Sequence, residues 1–149
     1  MKIQIIAVGT IKENYIKDGI KFYLDKLKKI YDIEIVEIKE EEEDPGTPAS
    51  REKVLETEGE RILYKIDRES FVIALAIEGK EVSTEEFASL IKKAFGMGYK
   101  KVVFVIGGSL GIWGKVKERA DVNISFSKMT FPHQLTRLLL LEQIYYALL

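Results

Sequence analysis

Short unbroken apolar runs alternate along this chain with longer stretches in which apolar residues recur every three or four positions. The first kind predicts buried strands and the second amphipathic helices. Lys2 to Val8, closed by Gly9, is the first strand. Asn14 is placed to cap a helix from Tyr15 to Tyr31: Ile16, Ile20, Tyr23, Leu24, Leu27 and Ile30 keep helical spacing, and Lys17, Lys21, Lys26, Lys28 and Lys29 take the other faces. Asp32 to Ile38 is the second strand. The acidic run Glu40 to Asp44 and the segment Pro45-Gly46-Thr47-Pro48 then predict an irregular loop, followed by a helix over roughly Ser50 to Tyr64.

Phe71 to Ile77 is apolar at every position, as a strand covered on both faces must be, and Gly79 is expected to end it. Ser83 and Glu86 have the spacing of a capping box, in which each side chain satisfies an otherwise orphan backbone N–H. The helix they start carries Phe87, Leu90, Ile91, Ala94 and Phe95 on one face and stops at Gly96 and Gly98. Val102 to Ile106 is another buried strand, then come a glycine-rich loop, a short basic segment from Lys115 to Arg119 and a strand from Val122 to Ser127. Pro132 opens a last helix. Strands alternating with helices, without repeat or linker, predict one α/β domain over residues 1–149 with a mostly parallel sheet.

The last helix, Leu135 to Leu149, changes that picture, because Leu138 to Leu141, Ile144, Tyr145, Tyr146, Leu148 and Leu149 spread apolar groups over almost every face. A sheet covers one side of a helix, so the rest needs a second partner. A homodimer is the simpler supplier and a fully buried monomer helix the other.

Charge adds little pull toward nucleic acid: 23 Lys and Arg stand against 24 Asp and Glu, a net charge of −1. Setting aside the five acidic residues from Glu40 to Asp44 leaves an excess of four positive charges, room for a basic patch. There is no cysteine and a single histidine, which excludes disulfides and thiolate metal sites and speaks against zinc; no metal is expected. The apolar start is too short for a signal peptide or a membrane span, so a cytoplasmic protein without membrane association is expected.

Two segments could carry chemistry. Gly107-Gly108-Ser109-Leu110-Gly111-Ile112-Trp113-Gly114 follows a buried strand, where open α/β sheets place their ligands. It fits neither a phosphate-binding P-loop nor G-x-G-x-x-G, since Ser109 and Val116 stand where those patterns need a glycine and a hydroxyl residue. Its glycines would allow an adenine or ribose to approach the backbone; the other reading is a plain flexible turn. On the first reading, Gly107→Val should block the ligand and leave the fold largely intact. The second segment is Ser125 to Gln134, a strand end, a loop and a helix start. His133 has an ordinary pKa near ~6.5, and Arg137 falls four residues on, on the same helical face. The pair could set a proton acceptor beside an anion clamp, or be a surface histidine with a helix-stabilising arginine.

Four stretches, MKIQIIAVGT from Met1, GGSLG from Gly107, FSKMTFPH from Phe126 and LEQIY from Leu141, in this order and spacing, resemble the ribosomal RNA large subunit methyltransferase H family of the SPOUT superfamily. The resemblance covers Met1 to Tyr145. It implies a parallel sheet with a C-terminal trefoil knot, a homodimer, and methyl transfer from S-adenosylmethionine to N3 of a pseudouridine in helix 69 of the large-subunit ribosomal RNA. It also implies a cofactor pocket lined by Leu75, Gly107, Phe126, Ser127, Lys128, Met129, Thr130 and Phe131. Attack by N3 would be an in-line displacement for which the N3 proton must leave, with His133 the candidate acceptor and Arg137 the candidate RNA or anion clamp.

Members of that family usually continue into a tail ending in a Tyr-His pair and a basic residue, whereas this sequence ends at Leu149. Two rival readings follow: a ribosome-associated binding module that keeps the pocket without catalysis, and a SPOUT methyltransferase acting on transfer RNA. With a net charge of −1, recognition is expected to depend on the shape of an assembled ribosome, with Lys17, Lys21, Lys128 and Arg137 as candidate contacts.

Overall fold

The computed structural model describes residues 1–42 and 48–149. Five strands form one sheet in the order β2-β1-β4-β3-β5, and every neighbouring pair is parallel. In chain order the elements are β1 (Lys2–Val8), α1 (Asn14–Lys28), β2 (Asp32–Ile38), α2 (Pro48–Lys65), β3 (Phe71–Glu81), α3 (Thr84–Gly96), β4 (Lys101–Ile106), α4 (Gly114–Arg119), β5 (Val122–Ser125) and α5 (His133–Ala147). Glu43 and Asp44 of the acidic run and the Pro45-Gly46-Thr47 part of the expected loop lie outside the described residues.

Strand alternation splits the core into two layers. Ile3, Ile5 and Ala7 of β1 with Phe104 and Ile106 of β4 pack under α1, α3 and α5, while Ile6, Val8, Val103 and Val105 point to the other face, under α2 and α4. Because both faces are covered, the two central strands are apolar almost throughout, which is why they read as unbroken runs. Each fully buried Ile or Phe contributes about 1.5–3 kcal/mol through the area it removes from water.

The second partner that α5 requires is supplied largely within the chain. It packs against both α1 and α3 and touches β4. Gly19 in the middle of α1 makes the approach close, since a Cβ there would come within 2.9 Å of both methyl carbons of Leu138. The Tyr23 and Tyr145 rings lie 5.7 Å apart, the Tyr23 hydroxyl bonds the Glu142 carboxylate at 3.3 Å, and the Tyr31 hydroxyl donates to the Leu148 carbonyl at 3.2 Å.

Element ends differ from expectation for local reasons. Glu13, not Asn14, occupies the N-cap of α1, and its side chain makes no cap bond. The helix ends at Lys28, leaving Ile30 exposed. Strand β3 runs past Gly79 to Glu81, because Gly79 lies against the backbone of Asn123 and Ile124, where a Cβ would come to 2.8 Å. β5 stops at Ser125, whose hydroxyl donates to the Ser127 carbonyl; the Ser127 hydroxyl in turn accepts from Met129 N–H, so local bonds replace the ladder. Pro132 sits at the N-cap of α5 rather than in its first turn, and the basic segment is the short helix α4.

The Ser83–Glu86 capping box is present, with both reciprocal bonds at 3.1 Å. Ser83→Ala should therefore lower stability by about 1 kcal/mol. The check is a shift of the urea midpoint with an unchanged denaturant slope.

Candidate active site

All five strands run the same way, so their C-terminal ends, the irregular segments that follow them and the start of α5 gather along one edge of the sheet. A cavity of about 740 Å³ opens there. Its walls come from Leu75 to Glu78 of β3, the Ile106 to Ile112 stretch after β4, Lys117 of α4, Ile124 to Ser127 at the end of β5, Met129 to Pro132, and His133 and Thr136 of α5, with Leu55 of α2. This volume falls in the ~300–1,000 Å³ range of small-molecule sites, and the walls are mostly apolar with a few polar groups.

Of the expected cofactor residues, Leu75, Gly107, Phe126, Ser127, Met129, Thr130 and Phe131 all line this cavity. Lys128 does not. Its side chain points outward, highly exposed, 3.9 Å from Glu81.

The glycine-rich segment forms a tight turn in which Gly111 N–H donates to the Gly108 carbonyl at 3.0 Å, with Gly111 at φ +94°. A Cβ on Gly107 would overlap the Gly111 carbonyl oxygen and come within 2.8 Å of Ile112. The expectation that Gly107→Val would spare the fold is thus corrected: the missing Cβ is needed by the closure of the turn itself. Gly108 has a different neighbour. A Cβ there would lie 3.1 Å from an oxygen of Glu58, a carboxylate of α2 that is almost fully buried and accepts from Glu41 N–H at 3.0 Å. Burial pushes the Glu58 carboxyl above its ordinary range, against the pull of the Glu41 bond. Nothing in the sequence marked Glu58, since it stands in a charged helical stretch like any solvated glutamate.

His133 and Arg137 both turn toward the end of β1. Gly9, at φ +90°, has the His133 Nε2 and a Glu40 oxygen 3.5 and 3.4 Å from the place a Cβ would take. His133 Nε2 is buried and has no hydrogen-bond partner among the described residues. Desolvation lowers the His133 pKa from its ordinary value, and Arg137 adds to the lowering, while Glu40 opposes it. The imidazole is held toward its neutral form.

Arg137 takes a different place from the one expected. It is 3% exposed and outside the cavity wall; its guanidinium donates to the Glu37 carboxylate at 2.6 Å and to the Gly9 carbonyl at 3.1 Å. Those bonds engage it inside the chain and tie α5 to β1 and β2. The helical spacing from His133 was legible, but the acceptors come from strands far away in sequence. Glu78 and Lys117 also line the cavity, and neither was singled out from sequence. The signal available for Glu78 was its place, a charged residue ending an apolar run just before Gly79. Among the described residues no group of three or more His, Asp or Glu could hold a metal ion, and no helix is long and apolar enough to cross a membrane.

The family model described as a predicted SPOUT methyltransferase matches residues 1–149. A protein of Caldanaerobacter subterraneus subsp. tengcongensis named ribosomal RNA large subunit methyltransferase H 2 is 99% identical over 149 residues, covering 100% of both chains. A Thermoanaerobacter pseudethanolicus protein named ribosomal RNA large subunit methyltransferase H 1 is 58% identical, covering 99% of this chain and 96% of its own. Among solved structures, a probable methyltransferase from Bordetella pertussis Tohama I superposes with a TM-score of 0.60 at 14% identity, covering 99% of this chain and 96% of that one, a likeness of fold alone. The five-stranded parallel α/β sheet is one for which family membership implies a C-terminal trefoil knot, and the chain belongs to the SPOUT methyltransferase family, in its ribosomal RNA large subunit methyltransferase H branch.

Proposed function

We propose that this protein methylates the large-subunit ribosomal RNA from S-adenosylmethionine, at N3 of a pseudouridine in helix 69, as a cytoplasmic homodimer. The observation that carries this reading is the cavity at the C-terminal sheet edge, walled by seven residues that the family motifs point to. Two features of the walls fit the cofactor: an apolar enclosure of adequate size, and a turn of glycines, Gly107, Gly108 and Gly111, that leaves backbone N–H and C=O groups approachable. When bound, S-adenosylmethionine supplies an electrophilic methyl group on a sulfonium that is already a good leaving group. Leu75, Phe126, Met129 and Phe131 would enclose it and Gly107, Ser127 and Thr130 would offer polar contacts, with Lys128 at the outer rim.

The chain's own chemistry is proton removal. N3 of the base carries a proton that must depart, and His133, on the cavity wall with its imidazole kept toward neutral, is the acceptor. Arg137 contributes by fixing the helix that carries His133, through Glu37 and Gly9. RNA contacts fall to exposed lysines, Lys17, Lys21 and Lys128, the last two engaged only in solvent-exposed pairs with Asp25 and Glu81. With a net charge of −1, the assembled ribosome or large subunit is the preferred substrate over protein-free RNA.

The homodimer reading rests on what α1 and α5 leave uncovered: Tyr15, Phe22 and Tyr146 are more than half exposed, and Leu135, Leu138 and Leu139 are only partly covered. Ile144 is fully buried in the monomer core, so a charge there unfolds the chain whatever its oligomeric state. Leu139→Glu is the discriminating variant and should yield a folded monomer by analytical ultracentrifugation. A wild-type chain that sediments as a monomer at micromolar concentration refutes the dimer.

Activity is tested by labelled methyl incorporation with whole ribosomes, large subunits, protein-free ribosomal RNA and transfer RNA side by side. Methylation should appear on the particles, and His133→Ala should reduce the rate about 10²-fold or more. No incorporation into any ribosomal particle, with S-adenosylmethionine still bound, would favour a binding module; incorporation into transfer RNA alone would favour the other rival.

As the only histidine, His133 gives an unambiguous proton NMR signal. Its titration midpoint should lie below ~6.5, and Glu40→Gln should move it lower still, because Glu40 is the group that raises it. By linkage, a folded-state pKa below the unfolded one stabilises the fold above ~6.5 and loses that contribution as pH falls through the folded value. A midpoint at or above ~6.5 would remove His133 as a desolvated base.

A further inference from the structure

The ladder between β3 and β5 is broken in an unusual place. Leu75 pairs with Ile124, and so does Lys80, so the four residues Ala76 to Gly79 are pushed out of register as a bulge. Three of them, Ala76, Ile77 and Glu78, line the cavity. Bulges re-aim side chains, and this one turns the charged residue that follows the apolar run Phe71 to Ile77 onto the cavity wall. It is held there from behind by Gly79, whose missing Cβ lets the backbones of Asn123 and Ile124 approach to 2.8 Å of its place.

Facing it is Lys117 of α4, whose ammonium pairs with the Glu78 carboxylate. The Asn123 side-chain amide donates to the Lys117 carbonyl at 3.1 Å, fixing α4 to the same part of β5. Both charged side chains stay partly exposed, 33% for Lys117 and 55% for Glu78, and so remain reachable from the cavity. Lys117 holds the Glu78 carboxyl below its usual range, so it stays ionised near neutrality.

Among the described lining residues, the ionisable side chains are Glu78, Lys117 and His133. An adenosine carries no pair of charges to match one of opposite sign, although its ribose hydroxyls can bond a carboxylate. The amino-acid end of S-adenosylmethionine carries such a pair, one ammonium and one carboxylate on the same carbon. An ion pair on the cavity wall can open to receive both groups with no net change of charge in the site. We infer that Glu78 and Lys117 form the subsite for the zwitterionic amino-acid end of the cofactor, Glu78 accepting from its ammonium and Lys117 donating to its carboxylate. The inference rests on the proposed use of S-adenosylmethionine and adds the residues that distinguish a ligand with an amino-acid end from one without it.

Isothermal titration of the wild-type protein, Glu78→Gln and Lys117→Met with two neutral-nucleoside probes tests it: S-adenosylhomocysteine, which has the amino-acid end, and 5′-methylthioadenosine, which lacks it. Each variant should bind S-adenosylhomocysteine about tenfold or more weakly, as loss of a charge-assisted hydrogen bond implies, and 5′-methylthioadenosine as tightly as wild type does. The exchanged pair, Glu78→Lys with Lys117→Glu, controls for a merely structural bridge: it should keep the thermal midpoint near wild type while the preference for S-adenosylhomocysteine stays lost. Equal weakening for both ligands, recovery of the preference in the exchanged pair, or unchanged S-adenosylhomocysteine affinity in both single variants would each overturn the subsite alone. Wild-type protein that binds neither ligand would overturn the methyl-transfer reading, and the subsite with it.

Discussion

The guanidinium of Arg137 is the point at which the C-terminal helix is joined to the β1–β2 side of the sheet. It belongs to the second turn of α5, and its acceptors are the carbonyl of Gly9 at the end of β1 and the carboxylate of Glu37 on β2, 128 and 100 residues away in sequence. At 3% exposure it has little water to fall back on, so losing the Glu37 carboxylate leaves a buried cation short of its countercharge. That constraint fixes where α5 starts, and so where His133 sits, one turn earlier at the cavity. Gly9 serves twice, because its positive φ turns the chain out of β1 while its missing side chain leaves space for the imidazole and for Glu40.

The remaining walls of the site follow from how each strand ends. β4 ends in a turn that only glycine at 107 and 111 permits, one for lack of space and the other for its backbone angle. β5 ends in serine side chains that bond their own backbone and divert the chain toward Pro132. β3 does not end at the cavity but bulges beside it and resumes pairing. Three different devices thus release the backbone from the sheet at the same level, and the gap they leave is the cavity. The two helical layers then hold this edge rigid, with Gly19 bringing α1 onto Leu138 and Gly59 bringing α2 onto the Trp113 ring, which a Cβ at position 59 would meet at 2.5 Å.

Sequence by itself determined the order and type of nearly every element, because both-face burial writes strands as continuous apolar runs and one-face burial writes helices as stripes. Lys2–Val8 and Asp32–Ile38 emerged with the expected bounds, and the Ser83–Glu86 cap with its bonding pattern. Local motifs also marked most of the cavity wall, since Gly107 and the Phe126 to Phe131 loop are contiguous features. The knot was implied by family likeness alone, as no periodicity encodes threading.

Tertiary structure decided what depends on partners distant in sequence. Arg137 looked like a free cation because helical spacing shows only its neighbours along the helix, while its charge is satisfied by β1 and β2. Glu58 looked solvated because nothing in a charged stretch reveals that Gly108 and Glu41 close over it. The apolar last helix announced that it needed covering on several sides, but only packing could say that α1 and α3 meet most of that need within one chain. The bulge that presents Glu78 was hidden for the same reason: a register shift is a relation between two strands, and neither strand carries it alone.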